Sequence, residues 1–555
     1  MTGSPLDTDV GREYLTSQLI PYIGNKRRLL PFLYRVFSGL ENLPEIPVFI
    51  DPFAGSGAVS RLAKAMGMAV RANDWEPYAE VLNGCHVALD ERDISGLFSD
   101  RGGMDAVLGA LNEGSGPFTP YISRHYAPVN TETADYRTER LFYTPENGRF
   151  IDRVRERIDR WYPDMGPERT ILLASLVYQA AVRSNTSGVF KACHKGFGGH
   201  GADALGRIMT GIRLQRPCLI DGRSRCSVHR LDAADFASRH PADICYLDPP
   251  YNTHQYGSNY HLLNTIALWD TPEVDNSRGP DGRLNAKAAI RKDWTATRSP
   301  FCSKRTAADA LGELLDAVDA RHIVLSYNTE GIVPFEVIYD ILERRGRVDI
   351  QVSDYTTYRG GRQSISRKVS NLEFLIVCRT DRPASPGGRE KAAEFLLRRR
   401  LYLLLKESFV PGRLARAFGD GNGTVSLSSG GPVVPSIRHY RFENLPSFEA
   451  LGRLAAPAVE TVCRSLEGAA CRDRKEESEV LIDLLAEELS PEERKYFAGR
   501  LLIVLRKFAH KKYREEFEEV SKRLRELIDR YPGYYGGLAG GLSEIEALAC
   551  RRFNG

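Results

Sequence analysis

The stretch VFIDPFAGSGAVSRLAKAMGMAVRAND, Val48 to Asp74, decides the fold. Val48, Phe49 and Ile50 form a short apolar run, a turn holding Gly55 and Gly57 follows, Ala58 to Met66 has helical character, and Ala69 to Ala72 is apolar again. One βαβ unit accounts for the whole stretch, so the pattern predicts an α/β fold with a mostly parallel sheet. Two more buried strands are legible: Ile244 to Leu247, running into Asp248-Pro249-Pro250-Tyr251, and His322 to Leu325, ending at Ser326-Tyr327-Asn328. In an open α/β sheet ligands gather outside the carboxyl ends of the strands, which predicts that these three ends line one cleft.

Outward from this nucleus, residues 84–215 separate the first βαβ unit from the Asp248 strand, far beyond the two to six residues of an ordinary α/β connection. They are expected to form an inserted subdomain, with helices over Arg149–Tyr162 and Thr170–Arg183 and a Gly-rich, basic loop from Ser184 to Gly206. Residues 1–83 and 216–382 then make up the two parts of the sheet domain, with a late strand at Phe374–Val377. Arg382-Pro383-Ala384-Ser385-Pro386-Gly387-Gly388 reads as a linker to a mainly helical region, 389–555. There Ser490-Pro491-Glu492-Glu493 has the form of an N-cap, a first-turn proline and a capping-box glutamate, and Tyr531-Pro532-Gly533 is expected to stop the last long helix.

Composition excludes several classes. With 555 residues, 42% hydrophobic and 27% charged, the chain is not disordered, and 76 Lys+Arg against 72 Asp+Glu leave a net charge of +4, which rules out a polybasic, histone-like binder. The longest apolar stretch, Thr170–Val182, falls short of the roughly 20 residues needed to cross a bilayer. The first 20 residues carry no apolar signal core, so a cytoplasmic protein is expected. The ten cysteines include no CxxC pair, and Cys218, Cys226 and His229 lack paired ligand spacing, so no metal is expected.

Asp51 to Gly57 follows a strand and opens a helix, and its glycines let the backbone approach a ligand, but the third glycine of the dinucleotide fingerprint is missing. Asn73-Asp74 puts a carboxylate where nucleoside-binding α/β folds hold ribose hydroxyls, or else where a helix is capped. Together they suggest a nucleoside ligand without a pyrophosphate. Asp248-Pro249-Pro250-Tyr251 has its own chemical logic. An exocyclic amino group on adenine is a poor nucleophile because its lone pair is delocalised. The Asp248 carboxylate and the Pro249 carbonyl, held by two prolines, would accept both N–H groups and favour an attacking nitrogen, with Tyr251 stacked on the base.

Tyr22-Ile23-Gly24-Asn25-Lys26-Arg27-Arg28-Leu29-Leu30, DPFAGSG, Asn73-Asp74, a long insert and DPPYN at Asp248–Asn252, in this order, resemble the Dam-type, alpha-class adenine-N6 DNA methyltransferases. The segment DPPYNTHQYGSNYH, Asp248 to His261, looks like the FokI-methylase branch, and the resemblance covers about residues 18–380. It implies a Rossmann-like methyltransferase fold, S-adenosylmethionine as methyl donor and a flipped adenine as target. It implies that Tyr22 and Lys26 close over the methionine end of the donor, that Asp51, Phe53, Gly55 and Gly57 form its glycine loop, and that Asp74 holds the ribose. Asp232, or alternatively Asp235, would lie near the donor's adenine. Asp248, Pro249, Pro250 and Tyr251 would be the catalytic residues.

The insert is where such enzymes carry target recognition, and Asn185, Lys191 and Lys195 in its basic loop are expected to contact double-stranded DNA. From Tyr355 to Arg400 there are 11 Lys/Arg against four acids, and Arg359 and Arg362 in that stretch are expected to meet phosphates. The alternating charges of the C-terminal helices read as a solvated face. A site-specific adenine methyltransferase, part of a restriction-modification or related defence system, is the function expected, with the existence of a cognate restriction or defence partner left open by the sequence. The alternatives are cytosine-N4 methylation, methylation of structured RNA, and a catalytically silent DNA-binding subunit.

Overall fold

The computed structural model describes residues 4–198, 204–328, 331–356, 372–419, 423–427 and 432–553. The chain divides into two compact units between Gly388 and Arg389.

The first unit is built on seven strands: β1 Val48–Asp51, β2 Ala69–Asn73, β3 Ser227–His229, β4 Ala242–Leu247, β5 Ala320–Asn328, β6 Arg347–Thr356 and β7 Leu372–Arg379. Their order across the sheet is β3-β2-β1-β4-β5-β7-β6. The first five pair in parallel, and β7 enters antiparallel between β5 and β6. This is the mostly parallel, Rossmann-like sheet expected. Phe49, Ile50, Val70, Ile244, Tyr246 and Val324 are buried, as strands covered on both faces by helices must be.

One helical layer packs Leu33 and Phe37, from helix Leu30–Ser38, and Leu62, from helix Ala58–Ala65, against Phe49 and Tyr246. On the other side, the helices of residues 84–215 share a single core with the helices around Leu82 and Leu263. Helix Pro167–Val182, whose Leu172, Leu176 and Val177 have no exposed surface, runs through that core. Arg61 joins the parts across the chain: its guanidinium, wholly buried, donates to the carbonyls of Tyr14, Ser17 and Gln18.

The second unit combines helices with a three-stranded antiparallel sheet, β8 Thr424–Ser426, β9 Val433–Ile437 and β10 Arg441–Phe442. Ser490 caps helix Pro491–Phe508 with the full capping box to Glu493. The stop expected at Tyr531–Gly533 ends only helix Arg514–Arg530. Pro532 instead opens a further helix, Pro532–Phe553, because a missing N–H is no loss in a first turn. Among the described residues, no helix is long and apolar enough to cross a membrane.

Candidate active site

The carboxyl ends of β1, β2 and β4 open onto one cleft. Pro52 and Phe53 come from the first end, Asn73 and Asp74 from the second, Asp248 to Tyr251 from the third, and Tyr22 from the N-terminal segment. The end of β5 does not reach it. Tyr327 packs edge-on to Tyr251, ring centroids 5.8 Å apart, and so backs the site from behind.

The glycine turn is shaped by close approach. Gly55 has φ +50° and a Cβ there would lie 2.9 Å from the ring of Tyr22; Gly57 has φ +80° and a Cβ there would lie 2.5 Å from Asn83 Oδ1. Asn83 Nδ2 in turn donates to the Gly55 carbonyl at 3.1 Å. Asp51 is buried under this turn, accepting from Ser60 Oγ at 2.7 Å and from the Phe53 N–H at 3.3 Å. Burial pushes its carboxyl up to about 7 despite the Ser60 bond. Asp51 therefore braces the turn from beneath and does not line the cleft.

Asp74 does line it. One oxygen accepts the Gly55 N–H at 2.7 Å and the other the Glu76 N–H at 2.9 Å, and burial raises the carboxyl to about 6. A carboxylate offers about four acceptor positions, so these bonds, with one from the Trp75 N–H, leave acceptor capacity facing the cleft. Asn73 locks the neighbouring loops: its Nδ2 donates to the carbonyls of Pro52 and Leu231, and its Oδ1 accepts from the Leu231 N–H. Asp232 sits differently from its expected place. It is exposed, its carboxylate caps helix Ala233–Arg239 by accepting from Ala234 and Asp235, and its neighbours Leu231 and Ala233, rather than Asp232 itself, line the cleft. Asp235 is likewise exposed.

Asp248 follows β4 directly. Lys26, 3% exposed, reaches it at 3.2 Å and reaches Glu373 on β7 at the same distance. Burial pushes the Asp248 carboxyl up to about 6, against the pull of Lys26. Its Oδ1 is ion-paired but carries no hydrogen bond, a buried acceptor ready for an N–H. The Lys26 ammonium lies 5.2 Å from the centre of the Tyr251 ring. Tyr22 stacks on Tyr260 with centroids 5.1 Å apart; the Ile23 N–H donates to Tyr260 Oη and Tyr256 Oη donates to the Ile23 carbonyl.

Sequence reasoning missed three residues. Trp75 and Glu76 line the cleft beside Asp74, and Glu76 accepts from Asn264 Nδ2 at 2.5 Å with its carboxyl raised by burial to about 7. Glu373 was hidden in a stretch read for its cations; its place before the apolar run Phe374–Val377 was the available signal.

Of the residues expected at DNA, Asn185 takes a different part. It is wholly buried and its Nδ2 spans the carbonyls of Leu141 and Gly196, so it holds the loop together instead of facing outward. Lys191 and Lys195 are exposed, with Lys195 5.4 Å from the Tyr136 ring centre. Their loop is fastened to the segment after Tyr251: the Phe190 N–H donates to the Asn259 carbonyl, and His261 Nε2 pairs with the Phe190 carbonyl. Arg359 and Arg362 lie outside the described residues.

Residues 22–284 match the family described as D12 class N6 adenine-specific DNA methyltransferase. The chain is 31% identical over 361 residues to the type II methyltransferase M.NlaIII of Neisseria lactamica, covering 64% of this chain and 96% of that protein. It is 28% identical over 371 residues to the type II methyltransferase M.FokI of Planomicrobium okeanokoites, covering 65% of this chain and 52% of that protein. With the modification methylase LlaI of Lactococcus lactis subsp. lactis the identity is 27% over 369 residues, 64% of this chain and 54% of that protein. The chain thus spans nearly all of the first of these relatives and about half the length of the other two.

Proposed function

The chain belongs to the D12 class of N6 adenine-specific DNA methyltransferases, and we propose that the cleft between Asp74 and Asp248 is where it carries out that reaction. It is an S-adenosylmethionine-dependent enzyme that methylates the exocyclic amino group of adenine in DNA. The donor fits the residues present: a turn where a Cβ at Gly55 would strike Tyr22, and an Asp74 carboxylate with acceptor capacity left at the cleft. Asp74 would hold the ribose hydroxyls, Trp75 would lie along the donor's adenine, and Tyr22 would close over the methionine end. When bound, S-adenosylmethionine supplies an electrophilic methyl group on a sulfonium sulfur.

Asp248 and the Pro249 carbonyl accept the two N–H groups of a flipped adenine, and Tyr251 stacks on its ring. Held in this way, the N6 lone pair would be free to take the methyl group that bound S-adenosylmethionine would supply, and the proton that the methylated nitrogen sheds would pass to solvent. The observation that carries this assignment is Asp248 Oδ1, a buried acceptor without a hydrogen bond at the cleft. Residues 84–215 carry target recognition in this proposal, with Lys191 and Lys195 toward DNA. The likeness to type II and modification methylases favours a place beside a restriction endonuclease in the cytoplasm.

The test is mass analysis of nucleosides from plasmid DNA incubated with the protein and labelled donor. N6-methyladenine is expected; N4-methylcytosine, or no product despite donor binding, rejects the assignment.

A further inference from the structure

Lys26 is the only cation within ion-pair distance of Asp248 among the described residues, yet it is not committed to Asp248 alone. Its Nζ stands 3.2 Å from Asp248 Oδ1 and 3.2 Å from Glu373 Oε2. Glu373 itself is nearly buried, with 6% of its surface exposed. It reaches this point because β7 is antiparallel to β5, with Glu373 opposite Asn328, which brings the start of β7 to the same sheet edge as the end of β4. A buried one-to-one pair of lysine and aspartate would be neutral, and its aspartate a weakened acceptor. Two carboxylates around one ammonium carry a net charge of −1.

We propose that Glu373 is a positioning residue for methyl transfer: by sharing Lys26, it leaves Asp248 the net negative charge that stabilises the adenine nitrogen as it becomes cationic. The proposal rests on the assignment of Asp248 as the amino-group acceptor. In the transfer, the N6 lone pair makes the N–C bond, the C–S electrons stay on sulfur, and positive charge appears on N6. That charge forms beside a dry anionic cluster, where a fixed charge acts far more strongly than in water. Lys26 keeps its proton throughout; burial disfavours its charge, but Asp248 and Glu373 hold it well above the usual lysine range.

The ionisable groups acting on Asp248 are Lys26 and Glu373, and Asp51, Tyr246, Tyr251 and Tyr256 feel its charge in return. Of these, Glu373 is the anion that Lys26 also pairs with. Removing the Glu373 charge commits Lys26 to Asp248, so the Asp248 carboxyl becomes more acidic and less able to stabilise a cation. The two effects have opposite signs on the two axes of a pH profile: the acid limb moves to lower pH while the plateau falls.

The experiment is the pH dependence of kcat for the full chain on plasmid DNA, comparing the natural protein, Glu373→Gln and Glu373→Asp, with donor affinity measured alongside. For Glu373→Gln the expected result is a plateau about 10- to 100-fold lower, an acid limb displaced to lower pH, and an unchanged donor Kd. Glu373→Asp, which keeps the charge one methylene further back, should show smaller changes of the same sign, and carries the test if the glutamine variant does not fold. A lowered plateau with the acid limb in its original place means a structural role and overturns the proposal, as does an unchanged plateau. Asp248→Ala, which removes the acceptor altogether, serves as the control: turnover retained in that variant rejects the acceptor assignment itself, independently of Glu373.

Discussion

The carboxylates around the cleft and the arginine-paired carboxylates of the second unit stand on opposite sides of their ordinary acidity. In the cleft, burial pushes Glu76 up to about 7 and Asp74 and Asp248 up to about 6, and directly beneath it pushes Asp51 up to about 7. In the second unit, hydrogen bonds from Arg438 hold Glu493 down to about 2, and hydrogen bonding to Arg400 lowers Glu467. Glu477, although burial works against it, is kept low by Arg500 at 2.6 Å, with Tyr440 and Ser408 donating to the same oxygen. Carboxylates desolvated with spare acceptor positions are poised for a ligand, whereas carboxylates saturated by arginine hold a framework together.

The sharpest way to break this contrast is at Asp248. Asp248→Ala should lower methyl transfer at least about 1000-fold while donor affinity stays within a fewfold, because the lost acceptor serves the transition state. Labelled-methyl incorporation and donor titration check the two halves, and near-normal turnover would place Asp248 with the scaffold carboxylates.

The counterpart is Glu477→Ala, which strands the half-buried Arg500. It should cost about 3 kcal/mol of stability in the second unit and leave turnover per folded molecule unchanged. Denaturant unfolding followed by circular dichroism reads the first effect and the incorporation assay the second.

The subtlest expectation concerns pH. Asp51 and Glu76 have folded values above their unfolded ones, so the stability they lend is full below about pH 4 and is lost as pH rises through about 7. Glu493 has a folded value below its unfolded one, so its contribution is present above about pH 4 and is lost as pH falls toward about 2. The four tryptophans, Trp75, Trp161, Trp269 and Trp294, all belong to the first unit, so their emission follows its unfolding alone. Without donor, that emission should report decreasing stability between pH 5 and 8. A flat or rising curve would show that the cleft carboxylates are not desolvated.

The parts legible in the sequence were those whose signal is local. The apolar runs at Val48–Ile50 and Ile244–Leu247 lie in β1 and β4, and the strand ends at Asp74 and Asp248 do meet in one cleft. What escaped depends on contacts between distant segments. Glu373 acquires its meaning only when β7 inserts beside β5, 347 positions from the lysine it holds. Asn185 has the side chain of a base reader, and only the folded loop shows its amide turned inward to Leu141 and Gly196. β3, three residues of intermediate burial, has too little apolar character to announce itself.

Strand β1, inside the sheet, is paired on one side by β2 and on the other by β4, which the ribosome delivers only after roughly 200 further residues. At about 5 to 20 residues per second, the nascent chain carries a half-finished sheet for on the order of 10 to 40 s. Throughout that interval the open edge of Phe49 and Ile50 is a template for stray strands. The long insertion thus sets a timing problem for synthesis.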